Sequence, residues 1–415
     1  MGLPEEQLLH FAALQLARVA AHLKSRPVLV SLVVLPLLLS IATVPAFSQL
    51  APLAPDPLSR IRAQAPAPAC SEAEPTLCAE AAPKIIANAM GSESTIAANV
   101  SRLIAENGGV GSEYDPNEPT PSETTRMLEW AEAALRAAGL SVYTETYAVS
   151  APGATPGRES AIQQNVIAEI RGRENPDEIV VLAASLDSWR LHYGALFNVC
   201  NAAVLIEAAR DIAATGLVPR RTIRFVLFSG DESGTLGSAA YVQAHRNEMD
   251  RTIAVIDFGE VTGHIIGYSL GGRHDIEPGV REALAPLNSL GPLADTFGVG
   301  IEGDGFNFLL EGVPNLGTEM EFTSGARFEP AATSAPPATD APPDPLGNVD
   351  IGDLKRNAAI AGVTAFDVAE DLAPLGPRLS HAEIEALLKQ TGLDEKMKAA
   401  GTWPQWESGQ LGHQP

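Results

Sequence analysis

The sequence predicts an α/β fold, a mixed and mostly parallel sheet flanked by helices, and three observations carry that prediction. The segments "EIVVLAA", "RTIRFVLFS" and "TIAVIDFG" are short continuous apolar runs, as expected of strands buried on both faces. Between and around them, "AAVLIEAARDIAA" and "GSAAYVQAHRN" place apolar residues at helical spacing. Strands that alternate with helices in this way pair in parallel and are covered by the helices.

Residues 1–48 read as an export signal or signal anchor: Lys24 and Arg26 precede the apolar run "PVLVSLVVLPLLLSIATVPAFSQ", which ends in small residues. Pro36 interrupts that run and leaves it short for a membrane span, so cleavage near Ala46 to Ser48 is expected. The alternative is an uncleaved anchor, the one membrane attachment the sequence suggests. Residues 49–84, rich in Pro and Ala without periodicity, read as a linker. In an oxidising compartment Cys70 and Cys78 are close enough in sequence to close a short loop; the competing reading is that Cys70, Cys78 and Cys200 are all free thiols.

The main domain is expected over residues 85–376. "STIAANVSRLIAEN" and "SETTRMLEWAEAALRAAGL" are amphipathic helices, the second closing on Gly139. "SVYTETYAV" and "QNVIAEIRG" alternate like strands and precede the three apolar runs. A second Pro/Ala-rich stretch at 329–347 can neither pair nor continue a helix and is expected as a loop. The helix "IGDLKRNAAIAGVTAFDVAEDL" follows it, and then a helical tail at 377–415, where Ser380 and Glu383 stand in capping-box register.

A formal net charge of -23 excludes nucleic acid as a partner and disfavours an anionic membrane surface, because nothing here neutralises a run of phosphates. A finger-type zinc site is excluded too, since no CxxC or paired Cys/His spacing occurs. The turn "SLDSWRLHYGALFNVCNAA", Ser185 to Ala203, joins the end of an apolar strand to a helix, the place where α/β proteins keep their chemistry.

Taken in order, "NVIAEIRGRENPDEIVVLAASLDSW", "GLVPRRTIRFVLFSGDESGTLGSAAYVQAHR", "LLEGVPNLG" and "DLKRNAAIAGVTAFDVAEDL" resemble the zinc-dependent exopeptidases of the aminopeptidase and glutamate carboxypeptidase type, in particular their exported branch. The resemblance implies a three-layer sandwich with metal ligands on loops at the carboxyl edge of the sheet. It also implies a role for each position, and the residues found there differ from the family pattern. Ser185 stands where that family has a ligand His, while the supporting Asp187 is kept. Phe197 stands where the bridging carboxylate belongs, with Asn198 beside it. Asp231 occupies the general-base position one methylene short, and Glu232 keeps a ligand position. Gly259 replaces a ligand Asp, and the final ligand His falls near Asp340, four residues before Asp344.

A two-zinc site needs carboxylates and imidazoles to offset the desolvation of two dications and to bring a shared water near pKa 7. Phenylalanine and glycine offer no lone pair. Moving the base by on the order of 1 Å can itself cost about 100-fold. Without metals the family's carboxylates would repel one another, whereas Ser185, Phe197, Asn198 and Gly259 are neutral, and burying a Phe ring adds roughly 1.5–3 kcal/mol. The expectation is therefore an exported, catalytically silent relative without a cofactor, with a peptide or small-molecule ligand as its partner. The alternative is an active dipeptidase, carboxypeptidase or aminopeptidase with a rebuilt single-zinc site, in which His192 or His264 joins Asp187, Glu232, Glu260 and Asp304. A further class, a thiol enzyme, would use Cys200 near the start of a helix with His192 nearby in sequence; the competing reading makes Cys200 a small buried hydrophobe.

Overall fold

The computed structural model describes residues 77–106, 121–149, 161–186, 194–230, 234–259, 263–298, 300–301, 303–321 and 349–414. All of them belong to one unit, Pro57–Pro415. In chain order the helices are α1 Cys78–Met90, α2 Ile96–Glu106, α3 Pro121–Ala137, α4 Gly194–Ala214, α5 Leu236–Ala244, α6 Glu277–Ala283, α7 Gly305–Leu310, α8 Ile351–Glu370, α9 His381–Thr391, α10 Leu393–Ala400 and α11 Trp403–Glu407. The strands are β1 Ser141–Val149, β2 Ala161–Ile170, β3 Asn175–Ser185, β4 Arg221–Phe228, β5 Thr252–Phe258, β6 His264–Ser269, β7 Ala294–Thr296 and β8 Asn315–Glu321.

These strands form one sheet in the order β1-β2-β4-β3-β5-β8-β6-β7. Its centre, β4-β3-β5-β8, is parallel, with β1 and β2 antiparallel on one flank and β6 antiparallel to β8 on the other. The continuous apolar runs are the reason for the centre: every residue of β4 and β5, and the last seven of β3, are buried. Alternate residues along each strand feed different cores. Val180, Leu182 and Ala184 join a cluster with α1, α2, α4 and α8, whereas Val181 and Ala183 pack with Tyr241 and Val242 of α5 and Phe308 of α7. The result is the expected mixed, mostly parallel sheet between two helical layers.

Helix α8 is the buried strut of the first layer. Asp350 caps it, accepting from Gly352 N at 2.7 Å and Asp353 N at 3.2 Å, which satisfies two of the four orphan donors at a helix start. Gly362 lets α1 lie close, because a Cβ there would come within 2.8 Å of Ile85 Cγ2. The sequence boundary at residue 85 falls inside α1, which starts at Cys78. Pro83 and the alanines give this stretch a linker's composition, yet Ala81, Ala82, Ile85 and Ala89 form its buried stripe. The residues before 77, the export segment and Cys70 among them, lie outside those described, as does most of the 329–347 stretch and its flanks.

In the C-terminal tail, Ser380 N donates to Glu383 Oε2 at 2.8 Å, the expected box, and α9 to α11 build a separate small core around Trp403 and Trp406. That core closes over Leu309 and Leu310 of α7. The buried Glu311 beside them pairs with Arg246 at 3.1 Å and Arg378 at 2.7 Å. The tail thereby buttresses α7, the element that carries Asp304 at its amino end.

Candidate functional site

The carboxyl ends of β3, β4 and β5 converge with the amino ends of α4 and α7 on one edge of the sheet, the place where an open α/β fold puts a ligand. Each strand contributes its last residue or the one after it, since there the hydrogen-bonded ladder ends and side chains become available. Ser185, the last residue of β3, is 1% exposed, and its Oγ donates to Asp304 Oδ2 at 2.7 Å. Asp257, one residue before the end of β5, accepts from Gly305 N through Oδ2 at 2.8 Å. Gly259 follows β5; a Cβ on it would sit 3.9 Å from the same Asp257 oxygen, so the ground at that position is open.

Helix α4 begins beside these residues. Asn198 and Asn201 are buried on it, and Asn201 Nδ2 donates to Gly259 O at 2.6 Å. The amide thus holds the backbone at the position where the resemblance implies a carboxylate. Phe197 lies in the first turn of α4, and its side chain falls outside the described residues.

The described residues on either side of Asp231 and Glu232 are anchored by side-chain hydrogen bonds. On the amino side, Tyr147 Oη donates to Ser229 O at 2.5 Å, and Asn165 accepts from Ser229 N at 3.2 Å while donating to Gly237 O at 2.9 Å. On the carboxyl side, Asn307 Nδ2 donates to Thr235 Oγ1 at 3.1 Å and Ser238 Oγ at 2.8 Å. Thr235 has φ 55°, a left-handed conformation that a β-branched residue adopts only when its surroundings impose it. Strain is therefore held next to the predicted acidic pair.

The sequence-predicted residues divide into two groups. Ser185, Asn198, Gly259 and Asp304 are brought together at this edge. Asp187, His192, Asp231, Glu232, Glu260, Asp340 and Asp344 lie outside the described residues. His264 opens β6, beyond β8, where Nδ1 pairs with Asp353 Oδ1 of α8 at 2.8 Å. Cys200 is fully buried, and that burial pushes its thiol up to about 12, so the site does not generate the thiolate a nucleophile requires.

Sequence reasoning passed over Asp257, Asn165, Asn201 and Tyr147. Asp257 had a legible signal, a single carboxylate inside the apolar run "TIAVIDF". Tyr147 had none, because nothing local shows that an alternating strand reaches across to the end of β4.

The residues described at the predicted ligand positions do not fit a zinc ion. Ser185 offers a neutral hydroxyl already committed to Asp304, and Gly259 offers no donor. Among the described residues no group of three His, Cys, Asp or Glu side chains converges.

Comparison with known proteins places this edge in context. A family model described as Peptidase family M28 matches residues 165–364. Carboxypeptidase Q of Rattus norvegicus is 30% identical over 218 residues, 52% of this chain and 43% of that protein. Carboxypeptidase Q of Xenopus laevis is 29% identical over 177 residues, 42% of this chain and 36% of that protein. The matches thus span less than half the length of these curated relatives. Among solved structures, a Peptidase M28 precursor from Shewanella amazonensis SB2B superposes with a TM-score of 0.57 at 17% identity, covering 73% of this chain and 99% of that one. A zinc aminopeptidase from Bacillus subtilis gives 0.50 at 13% identity, covering 69% and 99%. At these identities the two structures establish a shared fold.

Proposed function

Because the chain belongs to the zinc-dependent exopeptidase superfamily, we propose that it is a catalytically silent member, exported by its N-terminal segment, that holds a peptide or small-molecule ligand in the former cleft. The reading rests above all on Ser185. At the position where the family resemblance implies a zinc-binding imidazole, a fully buried hydroxyl is turned inward onto Asp304 at 2.7 Å. A hydroxyl so placed is a poor zinc ligand: it is neutral, short, and already donating.

The same logic extends to its neighbours. Gly259 has no side chain to offer, and its backbone oxygen is held by the Asn201 amide. Uncharged groups with internal partners remove the repulsion that metal-free carboxylates would suffer in a shared cleft. The cleft then needs no cation to be stable. Tyr147, Asn165 and Asn307 hold Ser229, Gly237 and Thr235, the residues that flank Asp231 and Glu232 in the chain.

Export is supported by the basic-then-apolar character of residues 24–48. Among the described residues no helix is long and apolar enough to cross a membrane.

The opposing reading, a hydrolase with a rebuilt single-zinc site, would draw on His192 or His264 with Asp187, Glu232, Glu260 and Asp304. Hydrolysis of a dipeptide panel by the full chain with added zinc separates the two. The expected result is no turnover above buffer and no change in Glu232→Gln. Chelator-sensitive cleavage that vanishes in Glu232→Gln would overturn the proposal.

A further inference from the structure

The two edges of the sheet are finished differently. On one side β7 is three residues long, too short to template another strand. On the other, β1 runs nine residues and pairs with β2 from Ser141↔Glu169 to Val149↔Ala161 without a register shift. No described strand lies on its far side. Natural edge strands are normally protected by Pro, by Lys, by a bulge or by being short. β1 has none of these; its protection is the single charge of Glu145 and, near one end, the Arg136 guanidinium that donates to Val142 O at 3.1 Å. Its sequence is Ser-Val-Tyr-Thr-Glu-Thr-Tyr-Ala-Val, rich in the β-branched and aromatic residues that favour pairing, and Tyr143 is 37% exposed.

The order of those residues is nearly palindromic about Glu145. An antiparallel pair of two identical β1 strands centred on Glu145 therefore sets like on like. Tyr143 faces Tyr147 of the second copy, Thr144 faces Thr146, and Val142 faces Ala148. Aromatic pairs and Thr–Thr pairs are favourable cross-strand neighbours. The one unfavourable meeting is Glu145 with its own copy, since like charges directly opposite repel.

That charge is already compensated within each chain. Glu145 Oε1 lies 2.7 Å from His245 Nε2, and His245 Nδ1 lies 3.1 Å from Glu248, with the imidazole stacked on Tyr241 at 4.3 Å. Burial draws the imidazole pKa down, but the hydrogen bond to Glu145 and the charges of Glu145 and Glu248 outweigh it and Arg224, leaving it raised. An imidazole hydrogen-bonded between two carboxylates spreads the Glu145 charge and so weakens the central repulsion.

We propose that β1 is a self-association edge, pairing antiparallel with β1 of a second copy of this chain about a twofold axis at Glu145 so that one continuous sheet spans the dimer. Such a closed, isologous contact uses up both exposed edges at once, which a heterologous pairing would not. The inference rests on β1 alone and stands or falls independently of what the cleft does.

Sedimentation velocity of the full chain across a concentration series tests it, alongside the double variant Thr144→Lys/Thr146→Lys. The expected result is a concentration-dependent dimer whose dissociation constant rises at least about tenfold in the variant, with circular dichroism unchanged. Register is read separately by disulfide trapping. Chains carrying Thr144→Cys mixed with chains carrying Thr146→Cys should cross-link in excess of either alone, and this decides the matter if the lysine variant fails to fold. A monomer at every concentration, a dimer indifferent to the lysines, or trapping no better in the mixture than in the separate chains would overturn the proposal.

Discussion

At the amino ends of β3 and β4, Glu370 of α8 is wholly buried and accepts from Arg173 Nη1 at 2.5 Å, Arg173 Nη2 at 2.7 Å and Arg220 N at 2.9 Å, and Arg221 pairs with Glu178 at 2.5 Å. At the opposite edge of the sheet, among the described residues, Ser185, Ser229, Asn198, Asn201 and Gly259 are uncharged, and the carboxylates Asp257 and Asp304 accept from a backbone N–H and a hydroxyl. Both ends bury polar groups. The difference is in how charge is balanced. Burying an ion is tolerable only with a partner of opposite sign and further hydrogen bonds, and the amino end supplies both from within the chain. A metal-binding edge would leave part of that balance to a cation from solution; at this edge the described partners of Asp257 and Asp304 are the neutral Gly305 N–H and Ser185 hydroxyl.

The largest effect is expected from breaking the charged end. Glu370→Ala leaves the part-buried Arg173 with only the more exposed Glu174 and Arg220 N without its acceptor, and should cost about 3–5 kcal/mol in urea unfolding, or prevent folding outright. Burial alone would raise Glu370, but its hydrogen bonds with Arg173 hold it below the ordinary carboxylate range. The balanced pair is thus ionised well into acid.

A second test uses a place where one cation serves two acids. Arg210 reaches Glu207 and Asp211 at 2.7 and 2.6 Å. Glu207 also accepts from Thr95 N at 2.9 Å and Thr95 Oγ1 at 2.7 Å, and despite its burial it is held below its ordinary value. Asp211 Oδ2 is buried with no partner, and burial together with the neighbouring Glu207 charge raises Asp211 to about 8 from 3.8. A carboxyl raised on folding contributes stability that is complete below the lower value and is lost as pH climbs through the upper one. The contribution of Asp211 to stability should fall between roughly pH 4 and pH 8 by on the order of 5 kcal/mol, and Asp211→Asn should flatten that slope. Melting temperatures across this range check it.

At the neutral end the effects should be smaller. Ser185→Ala removes the donor from Asp304 and should cost about 1–3 kcal/mol by denaturant titration, with the fold unchanged by circular dichroism. If Ser185 instead served a bound cation, its loss would be felt in metal content before stability. Smallest of all, Cys200, buried and raised to about 12, should resist thiol reagents at pH 8 in the folded protein and react only after unfolding.

Much of this comparison was legible before any coordinates. The parallel centre followed from three apolar runs because strands buried on both faces leave no alternation to misread, and Ser380 with Glu383 announced the capping box of α9. The flanking β6 and β8 were harder. "HIIGYS" and "NLGTEME" are short and mixed in exposure, so their identity as strands depends on neighbours distant in sequence. α1 was misjudged by composition, since a buried stripe of alanines resembles a linker until something packs against it.

At the site, positions such as Ser185 and Gly259 were readable through resemblance, but their partners were not. That Ser185 meets Asp304 across 119 residues, or that Asn201 holds Gly259 O, is a consequence of topology rather than of any local pattern.

A silent member of the family binds no dication at this edge of the sheet, whereas a hydrolase must. Elemental analysis of the purified full chain, after dialysis against zinc and then against metal-free buffer, measures that directly. The expected result is zinc far below one ion per chain, unchanged in Glu232→Gln. One or two retained zinc ions per chain, lost in Glu232→Gln, would contradict it.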